Sequence, residues 1–261
     1  MFRSPRPSNE HIEDFYREQY DSHYGRTEAG SDRAPVFDSA LAHLSTIRSP
    51  PGCLLDIGCG DGEFLERCRD AGWTCFGLEL SRNAMERAQA RGFTMLPPTW
   101  LDHPDAQRDG TGRFKAVALI NVLETVQDPV GLLVRIREVV SPEGVLLIRV
   151  SNGRFHLALR RPAGWFGLRY QQAFHLFLYT PQALGGMLRA SGWNVVSVRN
   201  SYPSQAPLTG GDRLLRRLLW RVAGTGLWVA AQTAYYLSGK RVLWAPSFEL
   251  IARTDGARRA V

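Results

Sequence analysis

Leu54-Leu55-Asp56-Ile57-Gly58-Cys59-Gly60-Asp61-Gly62-Glu63-Phe64 is the stretch around which the chain is organised. An apolar opening that ends in an acid suits a buried parallel strand whose carboxyl end faces a ligand crevice. The alternate glycines suit a sharp turn, because glycine lacks the Cβ that clashes at positive φ, and the residues after Gly62 open a helix. A dinucleotide fingerprint wants glycines at the first, third and sixth positions. Counted from Gly58, the sixth position is Glu63, whose carboxylate would meet a pyrophosphate at the helix N-terminus. The spacing therefore disfavours a dinucleotide.

Outward from this stretch, strands and helices alternate. Phe76-Gly77-Leu78-Glu79-Leu80 is a second strand ending in an acid, with Glu79 placed 17 residues after Gly62. A carboxylate there can accept both hydroxyl hydrogens of a ribose. Helices are predicted over 62–71, over 81–91 with Ser81 as N-cap, over 129–140 starting at a proline, and over 180–190. Strands are predicted over 73–79, 93–96, 114–120, 145–150, 193–198 and 247–253. This alternation predicts an α/β fold: a Rossmann-like, mostly parallel seven-stranded sheet with helices on both faces and an antiparallel last strand.

The pattern Asp56-x-Gly58-x-Gly60-x-Gly62, together with Glu79, resembles the first motifs of the class I S-adenosylmethionine (SAM) methyltransferases. Three further runs carry the resemblance through about residue 200. Residues 114–129, including Asn121-Val122-Leu123-Glu124-Thr125, look like the fourth-strand motif of small-molecule and glycan-pathway methyltransferases. Residues 141–152 are similar to the loop and fifth strand of that group. His175-Leu176-Phe177-Leu178-Tyr179-Thr180-Pro181 resembles its next segment. The nearest pattern is that of the ubiquinone-biosynthesis-like and polysaccharide-pathway methyltransferases.

The resemblance implies SAM as cofactor and a role for each matching residue. Asp56, Gly58, Cys59 and Gly60 would line the methionine side, with Asp56 ordering the ammonium. Glu79 would hold the ribose hydroxyls, Leu80 would pack on the adenine, and Thr99 and Trp100 would meet its edge. Asn121 would sit beside the methyl donor. Relatives often carry histidine at the position of Thr125, where it can serve as a base in hydroxyl methylation. Threonine cannot do this. His175 and His156 are the nearest substitutes in sequence, and His175 lies within the matching motif, so His175 and Asn121 are the catalytic candidates. Alternatively, positioning for in-line transfer suffices.

Composition and termini set the bounds. With 44% hydrophobic and 22% charged residues, the 261-residue chain has the balance of a soluble globular protein. Its net charge of +7 fits an anionic partner, or equally a basic surface with no dedicated one. Cys53, Cys59, Cys68 and Cys75 form no Cys-x-x-Cys pair and have no histidine among them, so no metal site is expected and a reduced, cytoplasmic setting is. No apolar run follows the charged start, so no secretory signal is expected. From residue 8 or 9 a helix is predicted, on which Tyr16, Tyr20 and Tyr24 form either a lid edge or ordinary packing.

The domain organisation expected is a helical lid segment at 1–50, the SAM-binding core at 51–200, a helical insertion at 201–246, and the last strand and tail at 247–261. Within the insertion Leu214, Leu215, Leu218, Leu219 and Val222 share one helical face, and Arg213, Arg216, Arg217 and Arg221 the other. That is the pattern of an interfacial membrane helix. Residues 222–237 continue it without charge, but glycine, threonine and glutamine dilute them below a spanning helix. The insertion therefore reads either as peripheral attachment to an anionic membrane, with a lipid-linked acceptor, or as a helical cap or homodimer surface.

Two functions follow from these features. The first is methyl transfer from SAM to a small or lipid- or glycan-linked acceptor, at a hydroxyl oxygen. The alternative is a non-catalytic SAM-binding module in a biosynthetic complex. Nucleic acid is not expected as a partner, since no Asn/Asp-Pro-Pro-Tyr motif follows the fourth strand. Arg154, Arg160, Arg161 and Arg169 are candidates to hold an acceptor phosphate or carboxylate.

Overall fold

The computed structural model describes residues 33–102, 114–158, 176–203 and 213–254, with side chains in the last stretch from Gly224 onward. In chain order they form α1 (Ala34–Ser45), β1 (Cys53–Ile57), α2 (Glu63–Asp70), β2 (Thr74–Leu78), α3 (Arg82–Ala90) and β3 (Thr94–Leu96). There follow β4 (Phe114–Ile120), α4 (Pro129–Val139), β5 (Val140–Ser151), α5 (Pro181–Ala190), β6 (Trp193–Asn200), α6 (Arg213–Leu237) and β7 (Ser247–Thr254). The strands make one sheet in the order β3-β2-β1-β4-β5-β7-β6. β1 to β5 pair in parallel, while β7 runs antiparallel to both β5 and β6. The Rossmann-like sheet expected from the sequence is thus present, with its antiparallel last strand.

Parallel strands covered on both faces should carry continuous apolar runs rather than alternate, and Leu54-Leu55 of β1, Ala116–Ile120 of β4 and Val145–Ile148 of β5 are such runs. Successive residues feed opposite faces. Leu55, Ile57, Val117, Leu119, Leu146 and Ile148 pack with Leu133 and Ile136 of α4 and Leu184 and Leu188 of α5. Leu54, Ala116, Ala118 and Leu147 pack with Phe37 and Leu44 of α1, Phe64 and Leu65 of α2, and Ala88 of α3. Local chemistry sets the helix starts. The Ser81 hydroxyl accepts from Ala84 N at 3.4 Å, the Asp128 carboxylate from Gly131 N at 2.9 Å, and the Thr180 hydroxyl from Ala183 N at 3.1 Å.

One element differs from expectation and another follows it. β5 begins at Val140 rather than Val145, because residues 141–144 stay in the strand and are absorbed by a register shift against β4 between Phe114 and Ala116. Within the insertion, α6 is one 25-residue helix. Gly224, Ala231 and Tyr235 form its buried stripe. It is tied to β6 through Tyr235 Oη, which donates to Val198 O at 3.0 Å, and through Asn200 Nδ2, which donates to Ala231 O at 3.0 Å. No helix among the described residues is long and apolar enough to cross a membrane. The side chains of the arginine-bearing face at 213–222 and the predicted N-terminal helix with Tyr16, Tyr20 and Tyr24 lie outside the described residues.

The sheet order reverses direction between β1 and β4. From β1 the chain moves outward to β2 and β3, and from β4 it moves the other way to β5. Open α/β sheets bind ligands outside the carboxyl ends of the strands at such a switch point.

Candidate active site

The glycine loop leaves β1 at this switch point. Gly58 N donates to Leu78 O at 2.7 Å, which ties the loop to the end of β2. Gly58 adopts φ +73, and a Cβ there would fall 2.4 Å from Cγ2 of Val122, just past β4. Gly62, also left-handed at φ +79, would drive a Cβ to 2.8 Å from the Phe93 ring. Both positions therefore need glycine for conformation and for space. The Cys59 side chain is buried within the loop, and its burial pushes the thiol pKa well up.

Two buried carboxylates flank this loop. Glu79, 5% exposed, accepts from Gly60 N at 2.8 Å through Oε2 and from Ser81 N at 2.9 Å through Oε1. Burial raises its pKa, and the backbone donors at Ser81, Gly60 and Leu80 oppose that rise only in part. Asp56, 2% exposed, has an Oδ1 with no hydrogen-bond partner. Burial raises its pKa well above the ordinary value, and the neighbouring charge of Glu79 adds to the rise while Arg33 opposes it. Such a pair is stabilised by any cation or hydroxyl donor that enters between them.

On the other side of the switch point stands Asn121, half-buried at the end of β4 with φ +60. Its N–H donates to Arg149 O at 2.9 Å, and its Oδ1 accepts from Arg149 Nη1. Glu124, fully buried, accepts from Ser151 N at 2.8 Å through Oε1, while its Oε2 has no hydrogen-bond partner. The Thr125 hydroxyl donates to Val122 O at 2.8 Å and so closes its own turn.

The remaining residues singled out from the sequence fall in different settings. Leu80 is half-buried and Thr99 exposed. Trp100 is buried edge-on against Phe114 with ring centroids 5.8 Å apart, so its body belongs to the core beneath β3 and β4. His175 lies outside the described residues, as do Arg160, Arg161 and Arg169; Leu176, the next residue after His175, donates to Glu124 O at 2.7 Å. His156 is bonded through Nε2 to Pro246 O at 3.0 Å. Sequence reasoning assigned no role to Arg149, although an arginine inside the apolar run Val145–Val150 was the available signal. No cluster of three potential metal ligands occurs among the described residues.

Comparison with known proteins adds to this geometry. The family described as "Methyltransferase domain" matches residues 30–198. A putative methyltransferase of Bacillus subtilis (strain 168) is 28% identical over 133 residues, 46% of this chain and 54% of that protein. A ubiquinone biosynthesis O-methyltransferase of Aromatoleum aromaticum is 30% identical over 105 residues, 39% of this chain and 45% of that protein. The chain spans about half the length of the curated relatives it matches. Among solved structures, magnesium protoporphyrin IX methyltransferase from Synechocystis PCC 6803 with bound SAH aligns with a TM-score of 0.60 and 12% identity, over 95% of this chain and 100% of that one. At that identity the likeness is one of fold.

Proposed function

The chain belongs to the methyltransferase-domain family, and from that premise we propose that it transfers the methyl group of SAM to a hydroxyl oxygen of a small or lipid- or glycan-linked acceptor. The single observation that carries the SAM reading is the pair of buried carboxylates, Asp56 and Glu79, bracketing a glycine loop. SAM presents an ammonium, a sulfonium, two ribose hydroxyls and a carboxylate, and no phosphate, so this anionic, glycine-walled site fits its cationic and hydroxyl groups. When bound, SAM supplies an already activated methyl group. In this reading the orphaned Asp56 oxygen takes the ammonium. Glu79, with lone pairs left after its backbone bonds, takes the ribose hydroxyls. Gly58, Cys59 and Gly60 line the methionine side, and Leu80, Thr99 and Trp100 bound the adenine.

The hydroxyl acceptor is supported by the relative named as an O-methyltransferase. His175 is the proposed base, because the hydroxyl of Thr125, at the position where relatives often carry histidine, is too weakly basic to take a proton. Calorimetric binding of SAH, followed by SAH production from SAM with phenolic and lipid-linked hydroxyl acceptors, tests the assignment. Failure to bind SAH overturns it. Binding without turnover on any acceptor favours the second reading, a non-catalytic SAM-binding module, which Thr125 makes room for.

Attachment of a cytoplasmic protein to an anionic membrane is part of the same proposal. Val229, Tyr236, Leu237, Val242 and Trp244 are exposed large apolar side chains, and the exposed Lys240 and Arg241 lie among them. Apolar anchors mixed with cations suit an anionic interface. Asn152, at the end of β5, donates to Leu243 O at 3.1 Å and Ala245 O at 3.0 Å, which ties this surface to the carboxyl edge of the sheet. Flotation with phosphatidylglycerol vesicles checks it. Absence of binding together with a dimer in sedimentation would assign the surface to a second copy of the chain.

A further inference from the structure

Arg149 lies in β5 and is 1% exposed, yet all three guanidinium nitrogens are used. Nε donates to Ser201 Oγ at 2.8 Å, Nη2 donates to Tyr202 O at 3.0 Å, and Nη1 donates to Asn121 Oδ1. A guanidinium has no acceptor, so the amide of Asn121 must turn its oxygen towards it. The orientation of that amide is therefore dictated by chemistry. Nδ2 is directed away from Arg149 and has no partner among the described residues, on a half-buried side chain at the switch point. Burial lowers the Arg149 pKa to about 10, with Glu249 and Glu124 opposing the drop, which leaves it a cation at neutral pH. A charge-assisted bond to the oxygen of an amide also polarises its N–H bonds.

We propose that Asn121 Nδ2, oriented and polarised by Arg149, donates a hydrogen bond to an oxyanion of the bound ligand, with Arg149 as the positioning residue. Two oxyanions have this chemistry: the carboxylate at the methionine end of SAM, and the ionised hydroxyl of the acceptor. The second would stabilise the nucleophile in a site where Thr125 cannot withdraw its proton. The proposal rests on the SAM reading given above.

Asn121→Asp tests it, because it keeps the size and the oxygen facing Arg149 but replaces the donor with an acceptor. Binding is measured calorimetrically for SAH and for its decarboxylated analogue, and 4-nitrophenol is titrated by absorbance in the presence of SAH. A loss of about tenfold in affinity for SAH, with none for the decarboxylated analogue, identifies the cofactor carboxylate. Unchanged SAH affinity, with an acid-shifted titration of 4-nitrophenol in the wild type that is abolished in the variant, identifies the acceptor oxyanion. In either case Arg149→Met shows the same selective loss, and Arg149→Lys, which can still donate to Oδ1, restores part of it. Equal behaviour of wild type and Asn121→Asp on all three ligands overturns the proposal, as does a loss that is the same for SAH and its decarboxylated analogue. Thermal unfolding of each variant separates these outcomes from loss of fold. Failure of the wild type to bind SAH would instead defeat the SAM reading itself.

Discussion

Glu249 in β7, and Asp56 with Glu79 at the ends of β1 and β2, are buried carboxylates that treat their charge in opposite ways. On the β7 side, Glu249 is fully buried. It accepts from Ser39 Oγ at 2.9 Å, Ser201 Oγ at 2.8 Å and Arg199 Nε at 2.9 Å, and His43 Nδ1 lies 3.2 Å away. Burial pushes its pKa up, but His43, Arg199 and Ser201 outweigh that and leave it lowered. The His43 pKa is itself lowered, chiefly by burial, so the pair acts as a carboxylate and a neutral imidazole at neutral pH. On the β1–β2 side, Asp56 and Glu79 both end with raised pKa values, each mainly through burial. Buried charge with its counter-charge in place serves structure, whereas buried charge left unbalanced is what a ligand can satisfy.

The largest effect that would break this comparison is on the structural side. Glu249→Ala leaves Arg199 and the Arg149–Ser201 pair without their shared acceptor, and should destabilise the protein by about 3–5 kcal/mol in denaturant unfolding. A loss under ~1 kcal/mol would mean that this network is not structural. Next comes Glu79→Ala on the ligand side. Removing the proposed hydrogen bonds from two ribose hydroxyls to a charged group should lower SAH affinity by about 100-fold, read by calorimetry. Gly58→Ala then probes the loop between them. Its Cβ meets Val122 at a left-handed φ, and a cost of about 1–3 kcal/mol is expected from the unfolding midpoint.

Asp56→Asn sharpens the contrast through its sign. A raised carboxyl pKa means that the folded, unliganded protein holds this proton more tightly than the unfolded chain. Stability due to Asp56 is therefore greatest at low pH and falls as pH rises from the ordinary carboxylate range through the raised value. The variant should flatten that slope and melt higher than the wild type at pH 7 without ligand, while binding SAH more weakly. The smallest effect belongs to the α6 surface. Leu237→Ser and Tyr236→Ser, at positions 85% and 66% exposed, should each alter stability by under ~0.5 kcal/mol, yet reduce flotation with anionic vesicles.

The glycine turn and acidic strand ends of the β1–β2 side were legible in the sequence because their chemistry is local. Gly58 and Gly62 record backbone conformations, Glu79 ends a strand, and Ser81 caps the helix that follows, so each is readable within a few residues. The structural side was not. Arg149 meets Ser201, 52 positions away, and Glu249 meets Ser39, 210 positions away. Trp100 illustrates the limit from another direction. Its position after the third strand suggested a place at the ligand's edge, which the proposed function keeps, but its packing against Phe114 of β4 depends on the strand order β3-β2-β1-β4, which no local pattern records.

Strand and helix types, the caps, the glycine turn and the two acidic strand ends all came from short-range rules. Apolar period, side-chain hydrogen bonding to the next turn and the absence of a Cβ each act over a handful of residues. Packing across the sheet decided what lies opposite what: that Asn121 turns its oxygen to Arg149, that Asp56 keeps an unpaired oxygen, and that the 201–246 insertion leaves and rejoins the sheet beside the carboxyl end of β5. Those outcomes depend on which distant charges share a desolvated space, and burial, which makes each of them strong, exists only once the chain has folded.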